Sequence, residues 1–211
     1  MFLLYFVIIF GITPLLYYFI ARSNNTTEIK SIIPFITLTF VSSLYELFGS
    51  LIFGWDVSYW FIFYNILSFF SIFYFYFELL HKQFLKLFLL TLFLFLGFCF
   101  YLSLNFKIED FFIVSSYLDT FITLFILFFT IIWFRKLILD ASIENLLENS
   151  TFYFISGFIL YYFGNLFLFL ISNYLYKFDA LSLQSYWVVN IILNLILRIL
   201  LIVGLWKART K

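Results

Sequence analysis

Seven continuously apolar runs, joined by linkers too short to hold a soluble domain, constrain this chain more than any other feature. They fall at about 2–21, 31–53, 57–80, 84–104, 111–134, 151–175 and 186–206. Each is close to the roughly 20 residues a helix needs to cross the hydrocarbon layer. Strands are excluded by the pattern, because the runs are apolar throughout instead of alternating, and a backbone in lipid is satisfied only within helices or closed barrels. The reading is an all-α membrane protein: a single seven-transmembrane-helix bundle over residues 1–211, with any function inside it or at its faces. Composition agrees, since 65% of residues are hydrophobic and only 11% charged. The 36 phenylalanines carry no functional weight at this level.

Lys and Arg set the orientation. Arg22 and Lys30, Lys82 and Lys86, Arg135 and Lys136, and the tail Lys207, Arg209 and Lys211 all fall at one side. Only Lys107 and Lys177 fall at the other, with Arg198 inside the membrane. The positive-inside rule places the N-terminus outside and the C-terminus in the cytoplasm of an inner membrane, as a multi-pass protein. Trp55, Trp60 and Trp187 are expected at outer ends of segments, and Trp133 and Trp206 at inner ends, as interfacial anchors. The first run lacks a basic leader and a cleavage pattern, so it reads as a retained helix.

Against this background the polar residues stand out. Glu46, Asn65, Asp119, Asn165 and Asn194 each lie about eight residues from the outer end of their own run, around 12 Å deep at 1.5 Å per residue. Asn190, Asn194 and Arg198 follow at i, i+4 and i+8 on the last helix, and Ser42, Glu46, Gly49 and Ser50 share a face of the second. Intramembrane charges are costly and by default mark a site. These seven residues, Glu46, Asn65, Asp119, Asn165, Asn190, Asn194 and Arg198, are therefore the candidate ligand-, cation- or proton-binding layer. The bland alternative is that Arg198 pairs with Glu46 or Asp119 while the asparagines bond between helices, each contact worth on the order of 0.6 kcal/mol.

Much chemistry is absent. There is no phosphate-binding loop, dinucleotide fingerprint, His-Glu-x-x-His motif or mid-membrane lysine on the last helix. Cys99 stands alone, as does His81 beside Lys82, so no disulfide, metal, cofactor or catalytic residue is expected. The expected partner is the bilayer, with no nucleic acid. Residues 135–150 place Leu139, Ile143, Leu146 and Leu147 opposite Asp140, Glu144 and Glu148, which fits either an amphipathic helix docking a signalling partner or an extension of the fifth helix. Asn25-Thr26-Thr27 and Asn149-Ser150-Thr151 match the glycosylation pattern, but on the cytoplasmic side. Ser58-Tyr59-Trp60 and Ser185-Tyr186-Trp187 each precede an Asn-Ile pair, and this echo permits a parallel 3+1+3 repeat.

Through Leu44-Tyr45-Glu46, Tyr64-Asn65-Ile66, the run Phe152 to Gly157, Gly164 to Phe167 and Asn190 to Trp206, the chain resembles uncharacterised seven-transmembrane-helix inner-membrane proteins of Bacteroidota. The resemblance implies a fold and a lineage, without a mechanism. Some such proteins are similar to membrane sensor regions of histidine kinases, which implies a sensor or accessory signalling role. The layout also resembles small sugar transporters, although Pro14 and Pro34 are followed by Leu15 and Phe35, where those carry Pro-Gln. The leading expectation is a sensor, and the alternative is a small solute transporter using the same layer. A lipid-modifying enzyme would rest on Glu46 and Asp119 alone.

Overall fold

The computed structural model describes residues 2–20, 27–56, 58–107, 110–140, 146–178 and 180–209. Among them every regular element is helical. Helix α1 is Phe2–Ile20, and α2 is Thr27–Leu44, running on into a π-helical stretch, Tyr45–Ile52. The run Ser58–Asn105 breaks at Phe84, whose φ of −123° and ψ of 22° lie outside the helical region. It thereby yields α3 (Ser58–Leu80) and α4 (Gln83–Asn105). Then follow α5 (Phe111–Asp140), a 3₁₀ turn at Leu146–Glu148, α6 (Ser150–Phe178) and α7 (Ala180–Arg209). Six helices, α2 to α7, are long and apolar enough to cross a membrane; the apolar stretch in α1, Phe6–Ile20, is shorter.

Several bounds differ from those read in the sequence. Helix α5 continues six residues past 134 to Asp140, and α6 and α7 extend until only residue 179 separates them. Hydropathy marks where lipid would end, whereas helical hydrogen bonding carries on through polar residues. The extension of α5 replaces the first part of the expected amphipathic helix over 135–150. Leu146–Glu148 is a 3₁₀ turn, and Ile143 and Glu144 lie outside the described residues, as does Asn25. Trp133 also departs from its expected interfacial place. It is buried, 5% exposed, because α5 runs on for about two further turns and turns this face inward.

The helices pack as a closed ring. Helix α1 contacts α2 and α7, α2 contacts α3, the α3–α4 pair contacts α5, α5 contacts α6, and α6 contacts α7, while α2 also reaches α6 and α7 across the interior. The α3–α4 hairpin and α5 are held by stacked rings: Phe69 on Phe95 at 3.6 Å between centroids, and Phe88 on Phe129 at 4.3 Å. Between α6 and α7, glycines allow close approach, since a methyl at Gly164 or Gly204 would collide with Leu193 or Phe154.

At the end of the bundle that carries Lys30 and Arg135, the Ser150 hydroxyl donates to Glu28, tying the starts of α6 and α2 together. Asn149 caps α6 by accepting from the Thr151 N–H at 2.9 Å. This buried cap accounts for the Asn149-Ser150-Thr151 triplet without a glycan. At the opposite end, Asp56 accepts from the Ser58 N–H at 2.9 Å at the start of α3. That bond holds the Asp56 carboxyl below its ordinary range.

Candidate functional site

Several serine and threonine hydroxyls in this bundle are satisfied by their own helix. Thr39 donates to the Ile36 carbonyl, Ser43 to Thr39, Ser71 to Leu67 and Thr120 to Ser116. Such back-bonding removes them from consideration as site groups. The charged and amide side chains behave differently, and they gather around two adjoining voids near the Trp55 end.

The larger void has a volume of about 260 Å³ and draws its walls from α1, α2, α3, α6 and α7. Glu46, Asn190, Asn194 and Arg198 supply its polar wall, and Tyr45, Trp60, Phe61 and Trp187 its aromatic rim. The rim is ordered by its own contacts. Tyr45 stacks on Trp60 at 4.5 Å, the Trp60 indole donates to Ser42 at 3.3 Å, and the Tyr45 hydroxyl donates to the Asp56 carbonyl at 3.0 Å.

The π-helical stretch decides which residues of α2 reach this void. Ser42 and Glu46 line it as the sequence spacing anticipates, but Gly49 lies instead against Tyr45 and Trp55. A π turn adds a residue per turn and rotates everything after Glu46 off the α-helical face. The side chain of Ser50 lies outside the described residues.

Arg198 closes the bottom of the void and is 2% exposed. Its guanidinium donates to the Val7 carbonyl of α1 and nests where Gly11 has no side chain; a methyl there would overlap Arg198 and Ser43. Among the described residues Arg198 forms no ion pair, and its Nε has no partner. The expected salt bridge to Glu46 or Asp119 is thus replaced by a backbone carbonyl. Glu46 and Arg198 still interact electrostatically. Among the described residues neither Glu46, Asn190 nor Asn194 makes a side-chain hydrogen bond, although Asn190 is 8% exposed.

Asp119 belongs to the second void, of about 60 Å³, with Asn65, Ser115 and Ser116. Asn65 donates to the Asp119 carboxylate at 3.3 Å, and Thr123 donates to the Asp119 carbonyl at 2.7 Å. Tyr64, Tyr161 and Asn190 line both voids and form the partition between them. Asn165 borders neither void: it is fully buried and both its amide atoms are unpartnered. The seven sequence candidates therefore divide into Glu46, Asn194 and Arg198 in one void, Asn65 and Asp119 in the other, Asn190 between the two, and Asn165 apart.

Sequence reasoning placed Trp60 and Trp187 at the outer ends as interfacial anchors but missed that they rim a void with Tyr45 and Phe61, and missed the Tyr64 and Tyr161 partition and the α1 contribution of Val7 and Gly11. The only signal for Gly11 was a small residue interrupting an apolar helix, and tyrosines were invisible among so many aromatic neighbours.

Toward the Lys30 end, beyond the residues that line the voids, the side chains are fully buried. Phe35 meets Phe158 edge-on at 4.9 Å, Phe75 meets Phe158 at 5.5 Å, and Leu201 seals the α7 side. The arrangement is a polar, aromatic-rimmed pocket with Arg198 at its buried end, and it can hold a small polar solute. No family model, curated protein or solved structure matches the chain.

Proposed function

We propose that this chain is a sensor or accessory signalling protein of an inner membrane, with its N-terminus outside, whose polar pocket takes up a small ligand from the outer face. The observation that carries the reading is the set of groups around the 260 Å³ void: a buried guanidinium that meets a backbone carbonyl, leaves its Nε unpartnered and has no carboxylate partner among the described residues, with a carboxyl and two asparagine amides that make no side-chain hydrogen bond among them. Native interiors rarely leave buried polar groups unpaired, and in a membrane the cost is higher still, so a bound molecule or water would complete them. The Lys and Arg distribution supports the orientation, which turns the aromatic rim outward. The resemblance to Bacteroidota membrane proteins and the 3+1+3 order around α4 belong to the same proposal.

A transporter using the same pocket is the second reading. The seal of Phe35, Phe158 and Leu201 favours sensing over transport, since alternating access needs a route past it. Cysteine accessibility separates the two. In a Cys99→Ala background, Ile191→Cys on the pocket wall is expected to react with an impermeant thiol reagent from the outer face, and Leu201→Cys in the seal from neither face. Reaction of Leu201→Cys in inside-out vesicles would establish transport instead. An unreactive Ile191→Cys in intact cells would remove the outward-facing pocket.

A further inference from the structure

The pocket presents one guanidinium and one carboxyl group and pairs neither with the other. Arg198 stands on α7 with its guanidinium anchored to Val7, and Glu46 stands on α2 at the start of the π-helical stretch. Both line one void, and they interact electrostatically without direct contact. Arg198 is committed to the α1 carbonyl, and Gly11 makes room for it there. The two groups are held apart.

That separation selects among ligands. A lone cation would be attracted by Glu46 and repelled by Arg198, and a lone anion would meet the reverse. A neutral apolar molecule would leave four polar groups without partners in a low-dielectric interior. A molecule carrying both charges satisfies both walls at once. The surroundings add direction. Tyr45, next to Glu46 in sequence and stacked on Trp60, offers ring faces that favour an ammonium group. Asn194 lies one helical turn from Arg198, and the planar guanidinium suits a carboxylate or phosphate.

We infer that the pocket binds a small zwitterion, with its ammonium toward Glu46 and the Tyr45–Trp60 pair and its anionic group toward Arg198 and Asn194. This inference rests on the pocket being a ligand site, as proposed above. The same chemistry comes from two sources, a free amino-acid-like solute or the ammonium and phosphate of a zwitterionic lipid headgroup.

Thermal melts of the purified full-length protein in detergent test it with defined probes. Glycine and phosphoethanolamine carry both charges, N-acetylglycine only the negative one and glycinamide only the positive one. The zwitterions are expected to raise the Tm by roughly 5–10 °C at about a hundredfold excess over Kd, with little shift from either single-charge analogue. Stabilisation by phosphatidylethanolamine nanodiscs over phosphatidylglycerol ones, with no effect of the soluble probes, would support the zwitterion chemistry and assign its source to lipid. A shift from N-acetylglycine or glycinamide equal to that from glycine would overturn the zwitterion assignment, as would no shift from any probe or lipid. Failure of the pocket itself is read separately, from Ile191→Cys labelling. In Glu46→Gln, the preference for glycine over N-acetylglycine should vanish.

Discussion

The two sides of this bundle use their interiors in opposite ways. Where α3, α4 and α5 meet, apolar rings fill the space: Phe69, Phe88, Phe95, Phe125 and Phe129 stack or meet edge to face. The polar atoms of Tyr76 and Thr130, enclosed in the same region, bond to each other at 2.7 Å. Where α1, α2 and α7 meet, the interior is hollow, and its charged and amide groups are left without matching partners. Within one chain, the first region pairs its enclosed hydroxyls with each other, whereas the second leaves its carboxyl and amide side chains without hydrogen bonds among the described residues. In a membrane there is little hydrophobic drive between helices, so packing of the first kind holds the bundle together. The second kind costs stability, and the proposed function is what would offset that cost.

Mutations should separate the regions, and the largest effect is expected in the aromatic side. Phe69→Ala removes a fully buried ring from the centre of the stack and should cost about 3–5 kcal/mol, seen as a large fall in Tm with pocket labelling unchanged. A loss below about 1 kcal/mol would mean the stack contributes little. Gly11→Leu comes next. It forces a side chain into the space of the Arg198 guanidinium and should cost about 1–3 kcal/mol while also abolishing the glycine-induced shift. Loss of stability with an intact shift would place Arg198 outside the binding role. Tyr76→Phe leaves the Thr130 hydroxyl without its partner, at about 0.5–1.5 kcal/mol, and should spare ligand response entirely.

The smallest effect belongs to Asp56, at the exposed start of α3. Its carboxyl is held below the ordinary value of 3.8 mainly by the Ser58 N–H. A depressed carboxyl contributes stability above its unfolded pKa, and this is lost as pH falls through the lowered value. Asp56→Asn should therefore differ slightly from wild type at pH 7 and converge with it toward pH 3. A difference that grows on acidification would assign the interaction to another group.

Helix number and most of the polar layer were legible because bilayer physics writes them into hydropathy: a run of about 20 apolar residues has few fates, and a lone Glu46 or Arg198 inside it is conspicuous. Which polar residues share a void was not legible. The spacing of Asn190, Asn194 and Arg198 put them on one face, and they do line one void; yet Asn65 and Asp119, read at the same depth, line the adjoining one, and Asn165 lines neither. Depth along a helix is a one-dimensional quantity, whereas the partition by Tyr64 and Tyr161 depends on how helices rotate against each other. The π-helical stretch was hidden for a related reason. It changes the period that the face argument assumes, and nothing in Tyr45 to Ile52 announces it. Arg198 was expected to find a carboxylate because charges attract, but the gap left by Gly11 brings a carbonyl of α1 within reach first.

The account turns on whether Glu46 is held for a ligand or for the helices around it. The direct measurement is a pair of thermal melts of Glu46→Gln, with and without saturating glycine, beside the same pair for the wild type. Gln keeps the shape and one hydrogen-bonding oxygen while removing the charge. The expected result is an unliganded Tm within about 2 °C of the wild type, corresponding to less than roughly 0.5 kcal/mol, together with loss of the glycine shift that the wild type displays. A fall in the unliganded Tm as large as that of Phe69→Ala, with glycine affecting neither protein, would contradict it and make the Glu46–Arg198 pocket part of the scaffold.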